Sequence, residues 1–385
     1  MYGALAVGVL GLAAWLFFAL TSADGSTRAW FSYLHSFCYF LSLSLGALFF
    51  VAIQHVVRAT WSVVVRRIAE IIAAILPLLF ILALPILIFG TSALYEWTKE
   101  AAVSADALLT HKKVYLNLPF FWVRIVVYFT IWSILSLYFL KRSTDQDKSG
   151  DPQLTVRMMT TSAPAIAILA LTLSFASIDL IMSLDAHWFS TIFGVYFFAG
   201  SFVGFLALLA VLVIILQNMG HLRKAITAEH YHDMGKLIFA FTMFWCYIAF
   251  CQYMLIWYSN IPEETGWYMR RQTGNWMYFS VALLFGHFFI PFAGLMQRWV
   301  KRTRVLLAFW AVWILAMHWF DQFYLIMPQF SHETVPFNPA LDISALLGVG
   351  GIYIAGAAYL ARGRSLIPLK DPRLADSLRF ENLNV

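Results

Sequence analysis

The chain has 385 residues; 61% are hydrophobic and only 12% charged, with 26 Lys and Arg set against 20 Asp and Glu for a net charge of +6. Soluble domains carry about a quarter charged residues, so this balance argues against a soluble enzyme, a disordered chain and a nucleic-acid reader. Cys38, Cys246 and Cys251 lie in apolar runs without CxxC or CxxCH spacing, which argues against a disulfide framework, an iron–sulfur cluster or attached c-type haem in this chain.

A hydrocarbon layer about 30 Å thick takes about 20 mostly apolar helical residues to cross. In chain order, ten stretches qualify: 2–20, 30–53, 68–91, 119–140, 161–183, 190–216, 236–258, 274–297, 303–327 and 340–361. The expected fold is therefore an all-α integral membrane protein, one polytopic domain of ten transmembrane helices with a tail over 362–385. No Lys or Arg precedes Arg28, so the first stretch lacks the basic start of a secretory signal and is read as a retained helix.

Lys and Arg mark the cytoplasmic side of a membrane protein. With the amino terminus inside, the inner connections and the tail hold 19 of them and the outer connections six, with Arg124 inside the fourth stretch. Both termini are thus predicted to be cytoplasmic. The basic excess then faces anionic lipid, with no nucleic acid required. The longest connections, 95–118 outside and 141–160 and 218–235 inside, read as polar loops suited to partner subunits or to plain solvation.

Ionisable side chains inside the bilayer are costly and tend to be paired or functional. At 1.5 Å of rise per residue, His35, Arg124, Asp179 and Asp321 lie about 6 to 9 Å below the outer ends of their helices, His318 about 14 Å and His287 about 20 Å. Helical spacing gathers Tyr39, Ser42 and Gly46 below His35, Tyr128 beside Arg124, and Gln322 beside His318 and Asp321. Asp185 and His187 follow at the outer surface. By contrast, the inner half holds only His55 and Glu70 near its border.

This outer layer fits two chemistries. A quinol headgroup needs a base and a hydrogen-bonding partner, which makes the neighbourhood of His35, Asp179 and His187 a candidate. A proton half-channel needs titratable steps, for which His287, His318, Asp321 and Asp179 are candidates. Arg124 and Asp179, level and opposite in charge, are equally consistent with an ion pair joining two helices, and His35 and His287 with helix–helix hydrogen bonding.

Other groupings are weaker. His230-Tyr231-His232-Asp233, with His221, is read as loop without metal-ligand spacing, so no metal site is expected. The depths of His287 and His318 differ by about 6 Å, which disfavours a haem between them. Adjacent Glu263 and Glu264 point apart, and Arg66-Arg67 before Glu70 reads as an inner-face anchor.

The stretch Asp179-Leu-Ile-Met-Ser-Leu-Asp185-Ala-His187-Trp-Phe-Ser-Thr-Ile-Phe-Gly-Val-Tyr196-Phe-Phe-Ala-Gly200 resembles the helix five to six signature of the polysulfide reductase/NrfD-like membrane subunits, and more narrowly the ActF-type subunits of bacterial alternative complex III, a quinol:electron-acceptor oxidoreductase. Trp61–Glu70, Tyr115–Arg124, Gly235–Trp245, Gln252–Glu264 and Gly286–Phe292 add to the likeness, which runs from about 31 to 328. The resemblance implies two four-helix bundles, helices two to five (30–183) and six to nine (190–327), with the first and tenth helices peripheral. It implies the bacterial cytoplasmic membrane and, as partners, an ActC-like sister of the same fold, an extracytoplasmic iron–sulfur subunit and haem c subunits. These partners would hold the redox centres, with menaquinol as a candidate substrate and no cofactor bound directly here. On that reading the chain serves proton release or translocation, and His35, Tyr39, Arg124, Tyr128, Asp179, Asp185, His187, His287, His318 and Asp321 are the candidate residues. A direct quinol site, a scaffold whose polar groups only join helices, and a secondary transporter are the rivals.

Overall fold

The structure is a computed structural model that describes residues 1–21, 25–332 and 334–382. Ten helices are long and apolar enough to cross a membrane, and no strand occurs among the described residues. We number them one to ten in chain order: Tyr2–Thr21, Ser26–Val56, Val63–Leu94, Leu118–Ser149, Gln153–Leu184, Phe193–Asn218, Ala228–Ser259, Gly274–Met296, Arg304–Gln329 and Pro339–Ala361. The chain is a multi-pass membrane protein by the length and composition of these helices.

Local chemistry sets the ends. Asn117 accepts from the Phe120 amide at 2.9 Å, with Pro119 in the first turn of helix four, and Asn338 accepts from the Ala340 and Leu341 amides ahead of helix ten. Gly150, at φ 71°, closes helix four. That cap corrects the expected loop at 141–160. Helix four runs polar and solvated as far as Ser149, and helix five resumes at Gln153. The 218–235 loop is likewise shortened, because Thr227 and His230 form a capping box that starts helix seven at Ala228. The His230–Asp233 group is therefore helical rather than loop. The 95–118 connection, expected as a polar loop, folds into short helices, Glu100–Ala105 and Ala107–Lys112.

Helix two is the most enclosed span, packing on helices six, five, three, ten and nine. Helix six in turn packs on helices two, nine, seven and five. Helix one lies against helix ten so closely that a Cβ at Gly11 would sit 2.5 Å from the Gly348 amide nitrogen, and one at Gly351 2.4 Å from that of Gly8. Small residues of this kind let membrane helices meet backbone to backbone.

The tail straps one face of the molecule. Ser377 donates to the Trp61 carbonyl at 3.0 Å, Lys370 to that of Lys148 at 2.8 Å and Lys236 to Asn382 at 3.1 Å. Arg66 pairs with Asp371, while Arg66 and Arg67 both hold Glu70, all with fully buried side chains. The anchor read from Arg66-Arg67 and Glu70 is thus a closed ionic knot rather than a solvated border. We call this the tail face.

Candidate functional site

The polar residues predicted for one outer layer separate into three groups.

The first joins helices four and five. Arg124 grips Asp179 through two bonds of 2.9 Å, and the Tyr128 hydroxyl donates to the same carboxylate at 2.9 Å. The guanidinium also donates to the Tyr115 carbonyl and lies 3.8 Å over the Tyr115 ring. Every oxygen of the carboxylate is met, and the geometry is the planar bidentate fork that makes Arg the strongest partner for a carboxyl group. Asp179 is therefore closed off as a step in a shared path with Asp321; among the described residues no hydrogen bond links the two groups.

The second lies at the surface. Asp185 pairs with Arg270 at 2.8 Å, and His187 meets Asp106 at 2.5 Å. The hydrogen bond from His187 holds the Asp106 carboxyl below the usual carboxylate range. Lys112 donates to the Ala186 carbonyl at 2.5 Å, which ties the short Ala107–Lys112 helix to the turn between helices five and six. His35, Asp179 and His187, predicted as neighbours for a quinol, thus fall into three separate groups, with His35 in the third.

The third group is buried where helices two, six, seven, eight and nine meet. Asp321 on helix nine accepts from the Tyr196 hydroxyl at 2.5 Å and the Trp245 indole at 3.2 Å. One turn away, His318 shares a 2.7 Å hydrogen bond with Ser42, and the Tyr39 ring lies 5.5 Å from its imidazole. The His287 ring lies tilted at 39° against Trp245 with centroids 3.9 Å apart, and His35 meets the Trp319 carbonyl at 3.0 Å. His35, His287, His318, Asp321 and Gln322 are each fully buried.

The backbone makes room for this group at two places. Gly200 and Gly204 on helix six face the helix nine side chains: a Cβ at Gly204 would come within 2.7 Å of the His318 ring, and one at Gly200 within 3.3 Å of the Asp321 carboxylate. Helix eight widens to a π turn over Leu284–Phe289, around His287. Pro291 has no amide proton for the His287 carbonyl one turn earlier, and π turns of this kind recur at functional sites.

Charge balance separates Asp321 from the rest. The buried acidic residues are Glu70, Asp179, Asp185, Asp233, Asp321, Asp342 and Asp371. Six of them pair with Arg or Lys. Asp321 has no such partner among the described residues; its donors are a phenol and an indole. Other atoms of this third group are also under-bonded within the protein: Nδ1 of His35 and His318, both ring nitrogens of His287, the Trp319 indole nitrogen and both amide atoms of Gln322. Buried polar atoms are almost always met by a partner, so these atoms call for water or another polar species.

Sequence reasoning missed Tyr196 and Trp245 as members of this group. The available signal was the spacing of Tyr196, Gly200 and Gly204, four residues apart on one face of helix six, which reads as a slot for a bulky neighbour. It also missed the buried Arg28–Asp342 pair at 2.6 Å, which fastens helix two to helix ten, and Arg271, which was counted as an outer-loop charge. Arg271 is buried, donates to the Trp267, Tyr324 and Leu325 carbonyls and lies 3.3 Å over the Trp267 ring. Burial pushes its guanidinium down to about 10.

Set beside known proteins, the chain matches no protein-family model and no curated protein, so the arrangement of its own residues carries the functional reading.

Proposed function

We propose that this chain is a membrane subunit of a respiratory quinol:electron-acceptor oxidoreductase of the NrfD-like, alternative complex III type, and that its part is to take up and pass on protons. In this reading helices two to five and six to nine form the two bundles, both termini are cytoplasmic, and the protein sits in the bacterial cytoplasmic membrane. The redox centres belong to partners: an ActC-like sister, an extracytoplasmic iron–sulfur subunit and haem c subunits. Menaquinol is the candidate substrate of the assembly.

The observation that carries the proposal is Asp321. A buried carboxyl group without a cation exchanges a proton more readily than it holds a charge; His318 faces Gly200 alongside it, and His287 meets the same Trp245 that donates to it. Tyr196 and Trp245 orient the carboxyl group, while the Ser42 hydroxyl fixes one nitrogen of His318 and leaves the other unclaimed. Below this level the hydroxyls mostly bond locally, as Thr242 does to the Ile238 carbonyl and Ser201 to that of Phe197. The relay therefore favours proton release toward the face opposite the tail over a full crossing.

The test is proton release per quinol oxidised by the intact complex in vesicles. Asp321→Asn should lower the ratio while assembly and electron transfer persist; an unchanged ratio rules the relay out. A direct quinol site in this chain is less well supported, since its three predicted residues lie in separate groups.

A further inference from the structure

On the tail face a cavity of about 630 Å³ opens where helix six ends and helices seven and nine begin. Three arginines line it, Arg223, Arg302 and Arg304, together with Gln217, Thr227 and Tyr231. We propose that this cleft binds a phosphate group, carried by an anionic phospholipid whose chains lie along the membrane-facing ends of helices six and nine.

The charges are unequal. Arg302 pairs with Glu229, which Asn382 of the tail also holds at 3.0 Å. Arg223 and Arg304 have no carboxylate partner among the described residues. Arg223 donates only its Nε to the Gln217 carbonyl at 3.2 Å, and Arg304 only one terminal nitrogen to the Gln217 side-chain oxygen at 3.3 Å. Each guanidinium keeps the remaining donors of its fork for a ligand, and that fork matches phosphate oxygens two at a time.

The wall is built rather than incidental. Gln217 is nearly buried, and its side chain is held on both ends: the oxygen accepts from the Tyr231 hydroxyl at 2.7 Å and the nitrogen donates to the Ile226 carbonyl at 2.8 Å. The same residue positions both free arginines, Arg304 through its side-chain oxygen and Arg223 through its backbone carbonyl. The loop between helices six and seven takes a left-handed backbone at Leu222, φ 58°, immediately before Arg223. A non-glycine residue there is held by its surroundings, here by the Ala225 and Ile226 amides, which donate to its carbonyl.

Location selects a lipid as the carrier of the phosphate. Exposed apolar residues flank the cationic rim along the chain: Ile215 and Met219 beside Gln217, and Val305 beside Arg304. They give acyl chains a surface next to the headgroup contacts. Basic clefts between transmembrane helices on the side richer in Lys and Arg suit anionic headgroups.

The test uses the full chain in detergent, delipidated and then titrated in parallel with phosphatidylglycerol or cardiolipin in mixed micelles, with phosphatidylcholine, and with inorganic phosphate, reading native mass spectra and melting temperature. Anionic lipid should bind and raise the melting temperature, and Arg223→Gln with Arg304→Gln should weaken that binding roughly thirtyfold, about fivefold per cation. Lys224→Ala, a neighbouring cation outside the cleft, should leave it unchanged. Saturation by inorganic phosphate alone, abolished by the same pair of substitutions, would keep the phosphate site and move its source to a soluble anion. Equal binding by wild type and the double variant, with matching circular dichroism, overturns the proposal.

Discussion

Two buried carboxyl groups, Asp179 and Asp321, sit in the same half of the molecule and have been given opposite environments. Asp179 has an arginine fork and a phenol; Asp321 has a phenol and an indole but no cation. The first arrangement fixes a charge and joins two helices. The second leaves the charge to be balanced by a proton, with three buried histidines in the same group. On the function proposed above, the same residue type serves adhesion in one place and proton exchange in another, and the partner decides which.

The sharpest way to break this contrast is to remove the cation from the adhesive pair. Arg124→Met leaves Asp179 buried against Tyr128 alone and should cost about 3–5 kcal/mol of stability, seen as a large fall in the melting temperature of the purified complex. Adding Asp179→Asn should recover most of the loss, and turnover per assembled complex should stay normal. A small effect of Arg124→Met would mean that the pair is not the clamp described here.

Next in size is Gly204→Ala. Its Cβ would sit 2.7 Å from the His318 ring, a contact that displaces the imidazole and should cost about 1–3 kcal/mol as overpacking. Proton release should fall with it. Gly200→Ala, at 3.3 Å from both His318 and Asp321, should do the same more weakly.

Asp321→Asn should cost less than about 1 kcal/mol in stability, because the amide can accept from Trp245 and donate to the Tyr196 oxygen, so both hydrogen bonds survive. Thermal unfolding checks this. A destabilisation as large as that of Arg124→Met would place Asp321 among the structural clamps.

The smallest effect concerns a buried carboxylate that fastens the tail. Burial alone would raise the Asp371 carboxyl, but the Arg66 guanidinium overrides it and holds the group below the usual carboxylate range. Its contribution is fully present above that range and is lost as pH falls through the lowered value. Acidification should therefore free the tail, read as faster proteolysis between 362 and 382, and Asp371→Asn should show that rate already at neutral pH.

The ten spans were legible because a run of some 20 apolar residues leaves a chain few alternatives. Their ends were less so. Lys141 to Ser149 looks like loop by polarity, yet nothing stops the helix before Gly150, and His230 read as loop until its capping role at Thr227 was visible. Within the candidate site, His318 and Asp321 could be paired from their i, i+3 spacing alone. Their partners Tyr196, Trp245 and Ser42 could not, because contacts between distant helices leave no period in the sequence; only the Gly200 and Gly204 slot hinted at them. Equal depth placed Asp179 and Asp321 in one layer, but depth carries no information about which side of a helix faces which neighbour.

Infrared difference spectroscopy of the complex, comparing quinol-reduced with oxidised states, tests the central claim most directly. A carboxyl C=O band that changes with quinol oxidation should be present in the wild type, vanish in Asp321→Asn and persist in Asp179→Asn. A band that survives Asp321→Asn, or disappears in Asp179→Asn instead, contradicts the account.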